Sequence, residues 1–422
     1  MILQRNILFF IYRLYGGGAE RVVSNLSMAL GDNYNIKIII YDLEEKTYPY
    51  KGELIRIKLP FSKNPVHNNS IQRTIRFFML ITKLRKLKRD NKIDISVSFG
   101  EQANIINVLS KKKEHIYLSM RTTLSKEMQN RPKKRILTGL IKRLYNRAEA
   151  IVVPSALAAN DLEQSFDVRK NKLEIIHNYI DSVAINKLSD EPISDTELFS
   201  LFRQKILLNV GRITPAKGQW LLLHLFKKLK ERIPEARLVI IGEGESERHF
   251  KMKLVNYATK LGLKLYDRTT ADEFSLDHDV FLLGFDSNPF KYMKQSQLLV
   301  FSSTFEGFPN TIIEAMQSGL PVIAADCQSG PREIIAPDTD PSKHTSITEF
   351  HCSGVLAPSL PTSSIDDPVD DSIMIEWENA IITLLDNQEL RNKYIQNGIE
   401  RATAFEKEII LKKWESLLQL ES

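Results

Sequence analysis

Two carboxylates, Glu306 and Glu314, stand on either side of the string GFPNT in the stretch LLVFSSTFEGFPNTIIEAMQSGLPVIA, residues 298–324. Leu298 to Phe301 and Val322 to Ala324 are short continuous apolar runs, the pattern of parallel strands covered on both faces. Pro309 marks a helix start between them and Gly319 its end. At ~1.5 Å per residue, Glu314 then stands roughly 6–7 Å above the helix N-terminus. That terminus presents the backbone N–H groups of Phe308, Asn310 and Thr311 and the positive end of the dipole, a ready site for phosphate. Like charges repel, so a carboxylate beside it is no phosphate ligand. It is placed to accept hydrogen bonds from hydroxyls attached to that phosphate. Two such carboxylates suggest two sets of hydroxyls, a ribose and a sugar joined through a diphosphate.

The Gly, the aromatic residue and the Pro form a shaped turn at a strand's carboxyl end, where open α/β sheets bind ligands. The whole string E-G-F-P-N-T-I-I-E-A-M-x-S-G-L-P-V-I-A resembles the E-x7-E signature of retaining glycosyltransferases of family 4, which have the GT-B fold. The resemblance implies that Glu314 holds ribose hydroxyls of a nucleotide sugar and that Glu306 faces hydroxyls of the transferred sugar. It places the backbone of Phe308, Asn310 and Thr311 along the phosphates and sugar.

Other motifs fall into the same frame. Gly211-Arg212-Ile213-Thr214-Pro215-Ala216-Lys217-Gly218 follows an apolar run, Ile206 to Val210. Two cations just past a strand can neutralise a diphosphate. The family has G-R-x4-K-G there, which implies that Arg212 and Lys217 lie on the donor diphosphate. Near the N-terminus, Ile7 to Tyr12 reads as a first strand running into Gly16-Gly17-Gly18-Ala19-Glu20-Arg21. The third glycine of the dinucleotide fingerprint is missing, position 21 being Arg. By resemblance to the family's G-G-A-E-R, Gly17, Gly18 and Arg21 lie under the donor phosphates and acceptor. Gly242 after Leu238–Ile241, and Gly284 with Phe285 closing VFLLGF, are implied to line the base pocket through their backbones. Val-x-Val-Pro-Ser near 151–155, the segment from Ile176 to Asp181, Gly330 to Ile335 and Gly354 to Pro358 are also family-like.

The 422 residues suit two domains, and the GT-B resemblance implies an α/β fold of two Rossmann-like parallel-sheet domains facing a central cleft. Boundaries are expected at 1–180 for an acceptor-binding domain, 181–203 for a polar linker and 204–404 for a nucleotide-sugar-binding domain. Residues 405–422 read as a C-terminal helix, which the GT-B resemblance implies crosses back toward the first domain. Residues 336–372 read as a long loop. The net charge of +6 is uneven: residues 1–180 carry 32 Lys+Arg against 16 Asp+Glu, or +16, which leaves −10 for the rest. A basic half points to an anionic partner. Residues 71–92 and 126–147 read as basic amphipathic helices, able to lie on an anionic membrane surface. Their charge comes from residues such as Lys83, Arg85, Lys86, Lys88 and Arg89. No nucleic-acid motif accompanies it. Two cysteines make no disulfide framework, and no stretch approaches ~18 apolar residues. The expectation is a cytoplasmic protein, peripheral at the inner face of the cell membrane.

The chemistry implied is transfer of a hexose or N-acetylhexosamine from a nucleotide sugar, UDP being favoured, to a lipid-linked or surface-polysaccharide acceptor. Arg212, Lys217 and Glu306 are the expected catalytic residues. No cofactor and no metal are expected, since the cations replace the Asp-x-Asp metal site of other glycosyltransferases. The strings Asp277-His278-Asp279 and Asp338-Thr339-Asp340 read as chance spacing. Many family members have a His after the strand equivalent to 116–120. Here Leu118-Ser119-Met120-Arg121 resembles a subset with Ser-x-Arg, so Arg121, with Glu101, is assigned to acceptor binding. His177 reads as structural. The rival readings are a GT-B epimerase, a catalytically silent carbohydrate-binding relative and a nucleotide-binding oxidoreductase. The incomplete glycine patterns at Gly16–Arg21 and at Gly242-Glu243-Gly244 oppose the last.

Overall fold

The computed structural model describes residues 5–15, 18–41, 47–60, 69–128, 134–244, 248–270, 273–360, 365 and 370–419. Its contacts divide the chain into two units, Met1–Asn178 with Ile410–Ser422, and Tyr179–Ile409.

The first unit holds a sheet of β1 (Asn6–Ile11), β2 (Asn35–Ile40), β3 (Glu53–Arg56), β4 (Ile95–Phe99), β5 (His115–Ser119), β6 (Ala150–Val153) and β7 (Leu173–Ile175), in spatial order β3-β2-β1-β4-β5-β6-β7. Every pairing is parallel. β1 and β4 to β6 are almost entirely buried, as parallel strands sandwiched by helices must be. The short β3 at the sheet's edge is not evident in the sequence, because its four residues are mostly half-buried and carry two charges.

The second unit holds β8 (Lys205–Val210), β9 (Ala236–Ile241), β10 (Leu265–Asp267), β11 (Val280–Gly284), β12 (Leu298–Phe301), β13 (Val322–Ala325), β14 (Glu349–Phe350) and β15 (Val355–Ala357). Their order is β10-β11-β9-β8-β12-β13-β15-β14, parallel except for the β14–β15 pair. One core, around Trp220, Phe226 and Trp377, covers one face. The other, around Phe281, Phe301 and Phe308, covers the opposite face.

Three expectations need correction. Residues 181–203 are no linker. Asp181 caps the helix Ser182–Ser189 by accepting from Ala184 N–H, and Asp195 caps Thr196–Leu201. Their apolar residues Ile185, Ile193, Leu198 and Leu201 are buried in the second core. Two of the acidic residues in that stretch, Asp181 and Asp195, are helix caps. Residues 336–372 are no continuous loop, since Val355–Ala357 enters the sheet as β15 beside β13. A buried pair holds that return, with Arg332 Nε and Nη2 donating to Asp326 (3.1 and 2.5 Å) and Nη2 also to Glu349 at the start of β14 (3.1 Å). Finally, the helix read over 126–147 divides into Leu124–Glu127 and Lys134–Leu144, with 129–133 outside the described residues.

Candidate functional site

β8 sits at the switch in strand order of the second sheet: the chain winds from it to β9 on one side and returns on the other as β12. Crevices at the carboxyl ends of strands beside such a point are where α/β sheets take ligands. Arg212 lies just past β8, exposed, and Lys217 ends a short 3-10 turn, Pro215–Lys217. Glu306 lies past the neighbouring β12. The two loops meet: Lys217 Nζ donates to Glu306 Oε1 at 2.6 Å, with 21% and 14% of the side chains exposed. The ammonium also stands 5.7 Å from the Phe301 ring centroid.

Backbone and polar side-chain contacts hold these loops in register. Ser302 Oγ donates to Lys217 O (2.8 Å), and Thr304 N–H donates to Ala216 O (2.9 Å). Gln219, fully buried, donates through Nε2 to Arg212 O (3.0 Å), and buried Asn209 donates to Val300 O (2.9 Å). Sequence reading missed Asn209, Gln219 and Ser302. Their signal was polar residues inside an otherwise apolar strand and helix. Cys327 lies beside the ion pair. Burial pushes its thiol well up, with the charge of Glu306 adding to that and Lys217 opposing it.

The helix expected after Pro309 runs Asn310–Gln317, and its N-cap residue Pro309 contributes no side-chain cap. Ile312, Ile313, Ala315 and Met316 face the core, while Asn310, Thr311 and Glu314 are half-buried on the other side. The Phe308 ring packs at a tilt against Phe405, centroids 5.6 Å apart, which fixes the entry to the helix. The turn before it is shaped from the next loop: Ser329 Oγ donates to Gly307 O (2.7 Å), and Glu306 N–H donates to Gln328 O (3.3 Å). Gly330 has φ +102°, and a Cβ there would overlap Pro309 Cδ.

The remaining donor-side candidates lie along the same edge. Gly242, past β9, has φ +151° and packs so closely on the Gly211 carbonyl that a Cβ would overlap its oxygen. Gly242 N–H donates to Gly284 O (2.8 Å), tying the end of β9 to the end of β11. Phe285 follows, 75% exposed. Thus Gly284–Phe285, Gly242, Arg212 with Lys217, and Glu306 follow one another in the strand order β11-β9-β8-β12.

Gly18, Glu101 and Arg121 belong to the first unit. Gly18 opens the helix Gly18–Leu30 after β1, Glu101 opens Glu101–Leu109 after β4, and Arg121 lies two residues past β5. Gly17 is outside the described residues. His177 Nδ1 donates to Pro154 O (2.8 Å), a structural contact. Asp279 is engaged by Lys230 (3.0 Å) and by Lys264 N–H (2.9 Å). Lys88 is not a surface charge. It is buried and paired with Glu114 (2.8 Å) and Asn107 (2.6 Å), and burial pushes its ammonium down to about 8. The helix Ser70–Asp90 does expose Ile71, Ile75 and Phe78 at helical spacing.

Comparison with known proteins bears on the site as built. The family described as Glycosyl transferases group 1 matches residues 199–343, and Glycosyltransferase Family 4 matches residues 16–183. The chain is 30% identical over 383 residues to an uncharacterized glycosyltransferase of Methanocaldococcus jannaschii, covering 87% of this chain and 89% of that protein. It is 29% identical to the Campylobacter jejuni N-acetylgalactosamine-N,N'-diacetylbacillosaminyl-diphospho-undecaprenol 4-alpha-N-acetylgalactosaminyltransferase, covering 94% and 95%. The structure of Anabaena HepE in complex with UDP-glucose superposes with a TM-score of 0.72 at 18% identity, covering 98% of this chain and all of that one, which shows the GT-B fold.

Proposed function

Because the chain belongs to the GT-B glycosyltransferases of group 1 and family 4, we propose that it moves a hexose or N-acetylhexosamine from a UDP-linked donor to a lipid-linked or surface-polysaccharide acceptor. Configuration at the anomeric carbon is retained, and no metal takes part. One observation carries the reading. The candidate residues span β11 to β12, three strand spacings or about 14 Å, in the order Gly284–Phe285, Gly242, Arg212–Lys217, Glu306. A nucleoside diphosphate sugar laid along this edge has its base toward Gly284–Phe285 and Gly242, its diphosphate at Arg212–Lys217 and its sugar toward Glu306.

The roles follow from charge. As the anomeric C–O bond breaks, positive charge gathers on the sugar carbon and negative charge on the departing diphosphate. Arg212, Lys217 and the N-terminus of Asn310–Gln317 stabilise the latter. The Lys217–Glu306 pair fixes both groups before substrate arrives. The second oxygen of Glu306 then accepts from sugar hydroxyls, and Glu314, one turn along the helix, accepts from ribose hydroxyls. In a front-face retaining mechanism the leaving phosphate oxygen takes the acceptor's proton, so no protein base is required. Support for donor and acceptor comes from the relatives: one structure holds UDP-glucose, and the Campylobacter enzyme's name specifies a diphospho-undecaprenol saccharide. The acceptor's lipid brings the protein to an anionic membrane face through its basic first unit.

The test is incubation of the full chain with radiolabelled UDP-sugars and a polyprenyl-diphosphate-linked saccharide, in excess chelator. The reading predicts transfer with the donor's anomeric configuration kept. Inversion, dependence on added metal, or interconversion of UDP-sugars without transfer would each contradict it.

A further inference from the structure

β8 and β12 are neighbours, and they part before they reach the edge that carries the cations. Their ladder pairs Leu207 with Leu298 and Leu208 with Leu299 and stops there. Each strand runs on, β8 to Val210 and β12 to Phe301. Each also keeps its outer neighbour to that end, Val210 pairing with Ile241 of β9 and Phe301 with Ala324 of β13. The gap therefore opens between β8 and β12 alone. Main-chain polar groups buried along such a gap need other partners. The side chain of Asn209 supplies them: Nδ2 donates to Val300 O (2.9 Å) and reaches Ser302 Oγ (3.5 Å). Gln219, the first residue of the helix Gln219–Arg232, donates through Nε2 to Asn209 Oδ1 (3.5 Å) and to Arg212 O (3.0 Å). Ser302 Oγ donates to Lys217 O (2.8 Å). One polar path thus runs from the backbone of β12 to the loop that carries Arg212 and Lys217.

Folding alone does not account for these side chains. Asn209, Gln219 and Ser302 are buried beside the core residues Leu208, Trp220 and Phe301. Gln219 Oε1 is buried and has no partner among the described residues. An acceptor left unmet opposes folding, and apolar side chains of the same shape avoid that cost. What the amides do that Leu or Met cannot is hold a loop across parted strands. The Lys217–Glu306 contact, at 2.6 Å, joins the loops past those same two strands.

We infer that Asn209 and Gln219 are positioning residues, which set the place of Arg212 and Lys217 relative to β12 and Glu306. Both are buried and act through the loop they hold. The inference rests on the proposed donor site only for what that loop binds.

Asn209→Leu and Gln219→Met keep the side-chain size and cut the path. UDP and uridine are titrated into the full chain, wild type and each variant. UDP affinity falls about tenfold, the worth of one charge-assisted contact, while uridine, which has no diphosphate, binds within about twofold of wild type. The turnover kcat falls about 10²-fold with the acceptor's KM unchanged, as for a reacting group displaced by about 1 Å. The double variant loses no more than the worse single one, because both changes cut one path. Hydrogen exchange read by mass spectrometry needs no ligand: peptides covering 211–217 and 302–306 exchange faster in the variants, and those covering β9 and β13 do not. Wild-type UDP affinity and turnover in both variants overturn the inference. Equal losses for UDP and uridine do so too, as does a lower melting temperature with the ratio of the two affinities kept, which marks a structural role. If UDP does not bind wild type, the donor-site reading has failed, and hydrogen exchange decides the path alone, unchanged exchange in the variants overturning it. Should Asn209→Leu fail to fold, Gln219→Met and Ser302→Ala carry the same measurements.

Discussion

At the scale of single residues, position decides between a structural and a chemical role. Arg212 is exposed and its carbonyl, not its guanidinium, anchors the loop. Replacing it with Ala is expected to leave thermal stability within about 0.5 kcal/mol. Transfer should slow by about 10²–10³, the usual loss for one group stabilising developing charge. Calorimetric melting and initial rates on the same preparation check this, and a slow variant that also melts early would mean Arg212 acts through folding. That Lys217 and Glu306 belong to one place was legible because a motif fixes residue type and spacing together. Lys88 was not. Charge along a helix says nothing about a carboxylate elsewhere in the chain, and here Glu114 takes that ammonium out of the basic surface. That both terminal nitrogens of Arg121 are buried without a partner among the described residues was equally hidden, since burial is a property of the neighbours.

At the scale of elements, the donor loop is shaped by contacts between loops that are far apart in sequence. Gly330 touches Pro309 at the helix entry, and its positive φ strains any side chain. Gly330→Ala is expected to cost on the order of 1–3 kcal/mol for the strained backbone and to weaken UDP binding severalfold, because the turn at 306–309 must shift. Circular dichroism melting and a UDP titration read the two effects. Normal UDP affinity in a destabilised variant would separate the turn from the site. The strands around the site were readable as continuous apolar runs. The helices within 181–203 were not, because Asp181 and Asp195 carry the same charge whether they cap a helix or solvate a linker. β15 was hidden in a polar stretch for a different reason: it is three residues long and held from outside by the Arg332–Asp326 pair.

At the scale of the whole molecule, two parallel-sheet units and the uneven charge were both present in the sequence. Parallel sheets write themselves as repeated strand-and-helix units, and charge is a sum over residues. The surface that meets an acceptor depends instead on which basic residues stay exposed. Exposed Ile71, Ile75 and Phe78, on the same side of Ser70–Asp90 as the exposed cations Lys86 and Arg89, form an amphipathic face, and no described helix is long and apolar enough to cross a membrane. Binding to anionic vesicles that declines as salt rises is expected, as for polybasic segments at a charged surface. Co-sedimentation with neutral and anionic vesicles measures it, and equal binding to both would remove the membrane partner. The central claim is narrower, that a nucleotide's diphosphate lies against Lys217 beside the Asn310–Gln317 helix. Titrating UDP into the full chain and into Lys217→Ala tests it most directly. The account predicts at least a tenfold loss of affinity, equivalent to about 1.4 kcal/mol, in a variant that still folds. A Lys217→Ala protein that binds UDP as tightly as wild type would contradict it.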